Sequence, residues 1–202
     1  MMVPMPAKRP IKSAAKSAKR VVKPAAAPRL GALPEWNLAD LYAGIDDPNV
    51  KRDLDRADQY SIAFEDDFKG KLAALADGPA AGRALAQAVV RYEVLDDLMG
   101  RLGSYAGLIH AGNTLDPARA KFYADVQERL TASSMHLLFF VLELNRLDDA
   151  KLEAAMRDPA LGHYRPWLED IRRDKPYQLE DRIEQLFHEK SMTAYSAWNR
   201  LS

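Results

Sequence analysis

Residues Asp116 to Asn145 constrain this chain more than any other stretch. Pro117 sits where a first helical turn tolerates it, because the N–H it lacks would have no partner there, and Asp116 before it can cap. From there Phe122, Val126, Leu130, Ser133, Leu137, Val141 and Leu144 recur at spacings of three and four, so one side of a helix is apolar or small throughout. Leu137 to Leu142 are apolar on every side. A helix with no polar face must be surrounded by protein. The pattern predicts a single rod over 116–145, about 45 Å long, as the spine of a helical domain.

The neighbouring segments supply what would pack around it. Asn37 can cap a short helix carrying Leu38, Leu41 and Tyr42, ended by Gly44. Asp46-Asp47-Pro48 opens a helix whose stripe is Val50, Leu54, Ala57, Ser61, Phe64 and Phe68, closed by Gly70. A small element follows over 71–76. A long helix then runs from about Ala80 to Ala111 with Leu85, Val89, Tyr92, Leu95, Met99, Leu102, Tyr105 or Ala106, and Ile109 on one side. Its glycines, Gly82, Gly100, Gly103 and Gly107, suggest close approach of a neighbouring helix. GRLGSYAG (100–107) is no phosphate loop, since no strand precedes it and the lysine is absent. The short link Gly112 to Leu115 makes this helix and the spine antiparallel neighbours. Beyond the spine, Asp148-Asp149 and Asp158-Pro159 cap short helices, and Glu180–Lys190 carries Ile183, Leu186 and Phe187 on one face. The stretch from Ser196 to Ser202 reads as a helix still under way. No segment alternates with period two, so the expected fold is all-α: a multi-helix lobe over 33–202 with two long antiparallel helices.

Residues 1–32 read differently. Lys8, Arg9, Lys12, Lys16, Lys19, Arg20, Lys23 and Arg29 stand among Ala, Pro and Ser with no acidic residue. That composition predicts a disordered basic tail. The chain totals 29 basic and 29 acidic residues, so the remainder is acidic. No aromatic residues interleave the lysines, which argues against specific nucleic-acid stacking. A tail-driven nucleic-acid binder would instead show salt-dependent affinity lost on removing residues 1–30. There is no cysteine, which excludes disulfides, cysteine-based zinc sites and thiol catalysis and fits a reducing compartment. No apolar run is long enough to span a membrane, and the basic N-terminus lacks the apolar core of a signal peptide. A cytoplasmic location is expected.

The chemistry is sparse. His188-Glu189 begins like the HExxH helix of zinc peptidases, but position 192 is Met, so the second histidine is missing. A carboxylate-bridged di-iron bundle needs Glu three residues before a histidine. Gly107, Ser133, Ala160 and Gln185 stand there instead, before His110, His136, His163 and His188. His136 on the spine reads as a hydrogen-bonded core histidine. His188 reads as a partly exposed histidine at a helix end, favoured there by the dipole. No Gly-x-Ser-x-Gly elbow is present. The residues by themselves assign no catalytic, cofactor-binding or metal-binding position.

A family resemblance adds what these motifs lack. LPEWNLADLY (33–42), the run from RLGSYAG through NRLDD (101–149), and the run from DPALGHYRPW to AWNRL (158–201) resemble the N-terminal helical region of oligoendopeptidase F. That family belongs to the thimet-oligopeptidase-like zinc metallopeptidases, and the likeness spans about Leu33 to Ser202. It implies a helical body around a deep channel. It also implies a zinc site with HExxH and a later glutamate ligand in the C-terminal portion, and hydrolysis of short unstructured peptides. The N-terminal helices of related enzymes form a wall or lid over the channel. None of the family's zinc ligands has a counterpart here, so no zinc is expected on this chain and it should be inactive alone. The alternative is a stand-alone helical peptide-binding or scaffold module. A missing catalytic domain would pack on the lobe and leave apolar surface near Trp198, Leu201 and part of the spine exposed.

Overall fold

A computed structural model describes residues 36–194. The basic tail and the helix expected near Ser196, with Trp198 and Leu201, lie outside the described residues. Within them the chain is helical, with no strand. In order come α1 (Pro48–Phe68), α2 (Leu72–Ala76), α3 (Ala81–Gly112), α4 (Pro117–Met135), α5 (Leu138–Arg146), α6 (Asp149–Ala155), α7 (Pro159–Gly162), α8 (Arg165–Ile171), a 3-10 helix over Arg172–Tyr177, and α9 (Asp181–Thr193).

Local chemistry sets most of these boundaries. Asp47, Asp116 and Asp158 each accept backbone N–H groups at the head of a helix whose first turn holds a proline. Asp148 caps α6 through the Lys151 N–H at 3.0 Å. After α1 the chain reverses at Gly70, the one described residue with positive φ, +76°, which a Cβ would strain. Near the start, Asn37 accepts the Ala39 N–H at 3.0 Å as expected. The segment it caps is one turn rather than a helix, bonded back to the Leu38 carbonyl.

Helices α1, α3 and α4 pack together, with α3 and α4 running antiparallel. Gly103 of α3 lies against Leu130 of α4, Gly107 against Tyr123, and Gly112 against Arg119. At this end Tyr42, Val50, Leu54, Ala57, Leu98, Leu102, Tyr105, Ala106 and Val126 form one buried cluster. The other end is aromatic. Phe64, Phe140 and Tyr92 interlock at centroid separations of 5.0 Å for Phe64–Phe140 and for Tyr92–Phe140, and Trp167 joins Tyr92 at 5.8 Å. Around them lie Leu85, Val89, Leu144, Leu152, Leu161 and Leu168. Burying each such side chain contributes roughly 1.5–3 kcal/mol. Met99 touches both clusters and links them.

Of the five α3 glycines, Gly82 is the one pressed against neighbouring backbone. A Cβ on Gly82 would meet the Asp158 Cβ at 2.3 Å and the Ala155 carbonyl at 2.5 Å. At Gly103 and Gly107 it would make ordinary contact, and at Gly100 it would meet nothing.

The single rod expected over 116–145 is instead two helices. The chain leaves the α-helical ladder at His136 and Leu137, where their N–H groups bond to Ser133 and Ser134 three residues back. Thr131 donates to the Gln127 carbonyl and Ser134 to the Thr131 carbonyl, and such back-bonds bend helices. Two adjacent serines also lower the local preference for helix. Period-3.6 counting runs through the break because a tight 3-10 turn shifts the phase only slightly.

Candidate functional site

The break between α4 and α5 gathers the polar chemistry of the lobe. His136 sits in it and joins its Nδ1 to Glu65 of α1 in a short hydrogen bond. Lys69, one turn further along α1, pairs with the same carboxylate. Burial pushes the Glu65 carboxyl up, but the bonds from His136 and Lys69 outweigh it and hold it below its ordinary value. The His136 side chain is 38% exposed, so it is a half-exposed, hydrogen-bonded residue and not the core histidine expected. His136 lies off the apolar stripe, whose members Ser133 and Leu137 on either side of it are buried. A cleft of about 200 Å³ opens beside it, floored by Leu138, Phe139 and Leu142 and walled by Glu65, Lys69, Asp181 and Gln185.

His188 reaches the same break from α9. Its Nε2 lies 2.8 Å from the Ser134 hydroxyl. That hydroxyl donates its own proton to the Thr131 carbonyl at 2.9 Å, so Nε2 carries the hydrogen and donates to Ser134. A nucleophilic serine needs the reverse polarity, with its proton aimed at a basic imidazole nitrogen. The Ser134–His188 contact is therefore a helix-to-helix tie. It does not activate a nucleophile.

The remaining histidines stand apart. His110 stacks on Tyr123 at 5.1 Å with planes 8° apart, and His163 meets Tyr164 edge-on. Among the described residues, no three His, Asp or Glu side chains are grouped to hold a metal ion. The donor sets of a zinc peptidase do not fit the described residues.

Sequence reasoning missed Asp53, which is 2% exposed beneath the first turn. It accepts the Tyr42 hydroxyl at 3.1 Å and pairs with Arg52 and Arg56. Burial and the carboxylate together push the Tyr42 hydroxyl up to about 12. The available signal was Tyr42 beside a one-turn cap, a buried phenol that needs a partner.

Helix α9 is attached in an unusual sense. Toward the body it presents polar groups: Asp181 pairs with Arg146 and His188 bonds to Ser134, while Gln178 just before it reaches the Leu142 carbonyl at 3.2 Å. The Arg146 guanidinium holds the Asp181 carboxyl below its ordinary value. Away from the body it presents Ile183, Leu186 and Phe187, with Leu186 51% and Phe187 62% exposed, and Leu179 just before it is exposed as well. Ile183, Leu186 and Phe187 share the face expected from their spacing, but that face is turned to solvent. Among the described residues, no helix is long and apolar enough to cross a membrane.

Residues 143–202, from the second half of α5 through α9, match a protein-family model described as oligopeptidase F, in its M3-peptidase N-terminal part. Neither a curated protein nor a solved structure matches the chain.

Proposed function

We propose, from the match of residues 143–202 to the oligopeptidase F family model, that the chain is the N-terminal part of a zinc metalloendopeptidase of this type. The helical lobe forms a wall or lid of the channel through which short unstructured peptides reach the catalytic centre. The zinc, its ligands and the water-activating glutamate belong to a catalytic domain outside these residues, and the lobe is inactive without it. That domain packs on the outward face of α9, through Leu186 and Phe187. The observation that carries the proposal is the family match, and the exposed apolar face within the matched segment supports it. The location proposed is cytoplasmic.

The role of such a lobe is exclusion and positioning. A rigid wall admits flexible peptides and rejects folded chains, and the chemistry is supplied by the bound metal of the catalytic part. The aromatic core around Phe140 gives this wall its stiffness.

The test is the native length of the protein in its source cells, by intact mass after antibody capture, with the captured material assayed on a quenched peptide. A species much larger than 22.6 kDa with chelator-sensitive cleavage supports the proposal. A species of 22.6 kDa without hydrolysis contradicts it and favours a stand-alone peptide-binding or scaffold module.

A further inference from the structure

The face of α3 turned away from the core carries its own pattern. Gln87, Val90, Val94, Asp97, Arg101, Ser104, Leu108 and Ala111 are all exposed and follow one another at alternating steps of three and four. Such a 3-4 alternation keeps residues in one straight seam along a slightly supercoiled helix, which is the geometry of a helix that pairs with another helix. The core-facing residues Leu95, Leu98, Leu102 and Tyr105 lie on the opposite side. Val90 and Val94 are 43% and 53% exposed, and with Tyr60 and Ala63 of α1 they line an open apolar groove of about 270 Å³.

We propose that this seam pairs with its own copy, antiparallel, about a twofold axis near residue 99. Antiparallel seams place each position of one heptad class opposite the other class, so the partners are residues whose numbers sum to 198. The pattern is self-complementary under that rule. Asp97 faces Arg101 of the second copy, and Arg101 faces its Asp97, giving two opposite-charge pairs across the axis. Neither residue forms an ion pair with a described residue of its own chain. Val90 faces the second copy's Leu108, which enters the groove between α1 and α3, and Val94 faces Ser104. Gly100 lies beside the axis with open space above it, so the two backbones can approach. One heptad away, one register sets Asp97 against Val94 and Arg101 against Val90, and the other sets Asp97 against Leu108, each of which strands a charge on an apolar residue. The charge pair therefore fixes register as well as partner. One patch contacting itself is what a twofold dimer requires. This pairing is independent of the peptidase assignment.

Sedimentation equilibrium of the full 202-residue chain tests it with three variants: D97R, R101D and the double swap. The wild-type chain should sediment at twice 22.6 kDa as concentration rises. D97R or R101D alone sets like charges opposite each other twice and should weaken the dimer by about tenfold or more. The double swap D97R/R101D should restore it. Mixing D97R with R101D should yield a heterodimer, since each then offers what the other lacks. Restoration also shows that the variants fold, and helical circular dichroism checks this independently. A wild-type chain that stays monomeric overturns the proposal. So does a dimer indifferent to these charges, or one abolished instead by F187E on α9.

Discussion

Phe140 on α5 and Phe187 on α9 both stand in amphipathic helices, and their surroundings are opposite. Phe140 is fully buried between Phe64 and Tyr92, while Phe187 lies largely in solvent. The helices are held accordingly. α5 is locked by apolar packing, whereas α9 is held by the exposed Arg146–Asp181 ion pair and the partly buried Ser134–His188 hydrogen bond. Exposed ion pairs of this kind contribute about 0–1 kcal/mol. The lobe therefore divides into a body held by buried apolar packing and an attached helix whose apolar face is open to solvent.

The sharpest way to break this comparison is to delete the two rings. Phe140→Ala should cost about 3–5 kcal/mol through lost burial and the cavity left behind, read from urea unfolding. Phe187→Ala should stay within about 0.5 kcal/mol of the parent, as expected for a surface position. Equal effects would remove the distinction. A smaller loss, about 1–3 kcal/mol, is expected for Gly82→Ala, because the new methyl would overlap the Ala155 carbonyl and Asp158. It should lower the thermal midpoint without altering the release of α9.

Acid should act on both regions. Asp53, Glu65 and Asp181 all have folded values below their ordinary ones, so the unfolded chain binds more protons as pH falls. Their stabilisation is present above the unfolded carboxylate range, about pH 4, and is lost as pH drops through the lower folded values. Tyr42 works at the other extreme. Its hydroxyl is raised to about 12, so its contribution holds below about pH 10 and disappears as pH climbs toward the folded value. A thermal midpoint flat from about pH 5 to 9 and falling on both sides is the expected profile. A modest effect belongs to His188→Ala, about 1 kcal/mol or less from one partly buried hydrogen bond. It should be seen as faster amide exchange confined to α9, with the body unchanged.

Much of the body was legible from the chain alone. Asp-Pro pairs at 47–48, 116–117 and 158–159 mark helix starts because a capping carboxylate and a missing N–H both favour that place. The stripe Val50 to Phe64 is buried as its spacing requires. The break at His136 was hidden because apolar spacing carries through a single 3-10 turn, and the serine back-bonds that bend the helix leave no hydrophobic signal. The outward face of α9 was hidden for another reason. Periodicity tells which residues share a face and is silent on whether that face meets its own chain or another. Asp53 was invisible because its neighbours in sequence are a basic residue and a leucine, while its partner Tyr42 comes from the turn before α1. The candidate site was legible as chemistry, not as place: four unmatched histidines could be counted, but the meeting of His136 and His188 at one break could not.

The proposal that α9 joins the lobe to a larger peptidase is tested most directly by amide hydrogen exchange. Exchange should be compared between the purified 202-residue chain and the protein captured from its source cells. The account predicts fast exchange over 181–193 in the isolated chain, slow exchange in α3 and α5, and strong protection of 181–193 in the captured protein. Equal exchange of α9 in both, or protection of α9 already in the isolated chain, would contradict it.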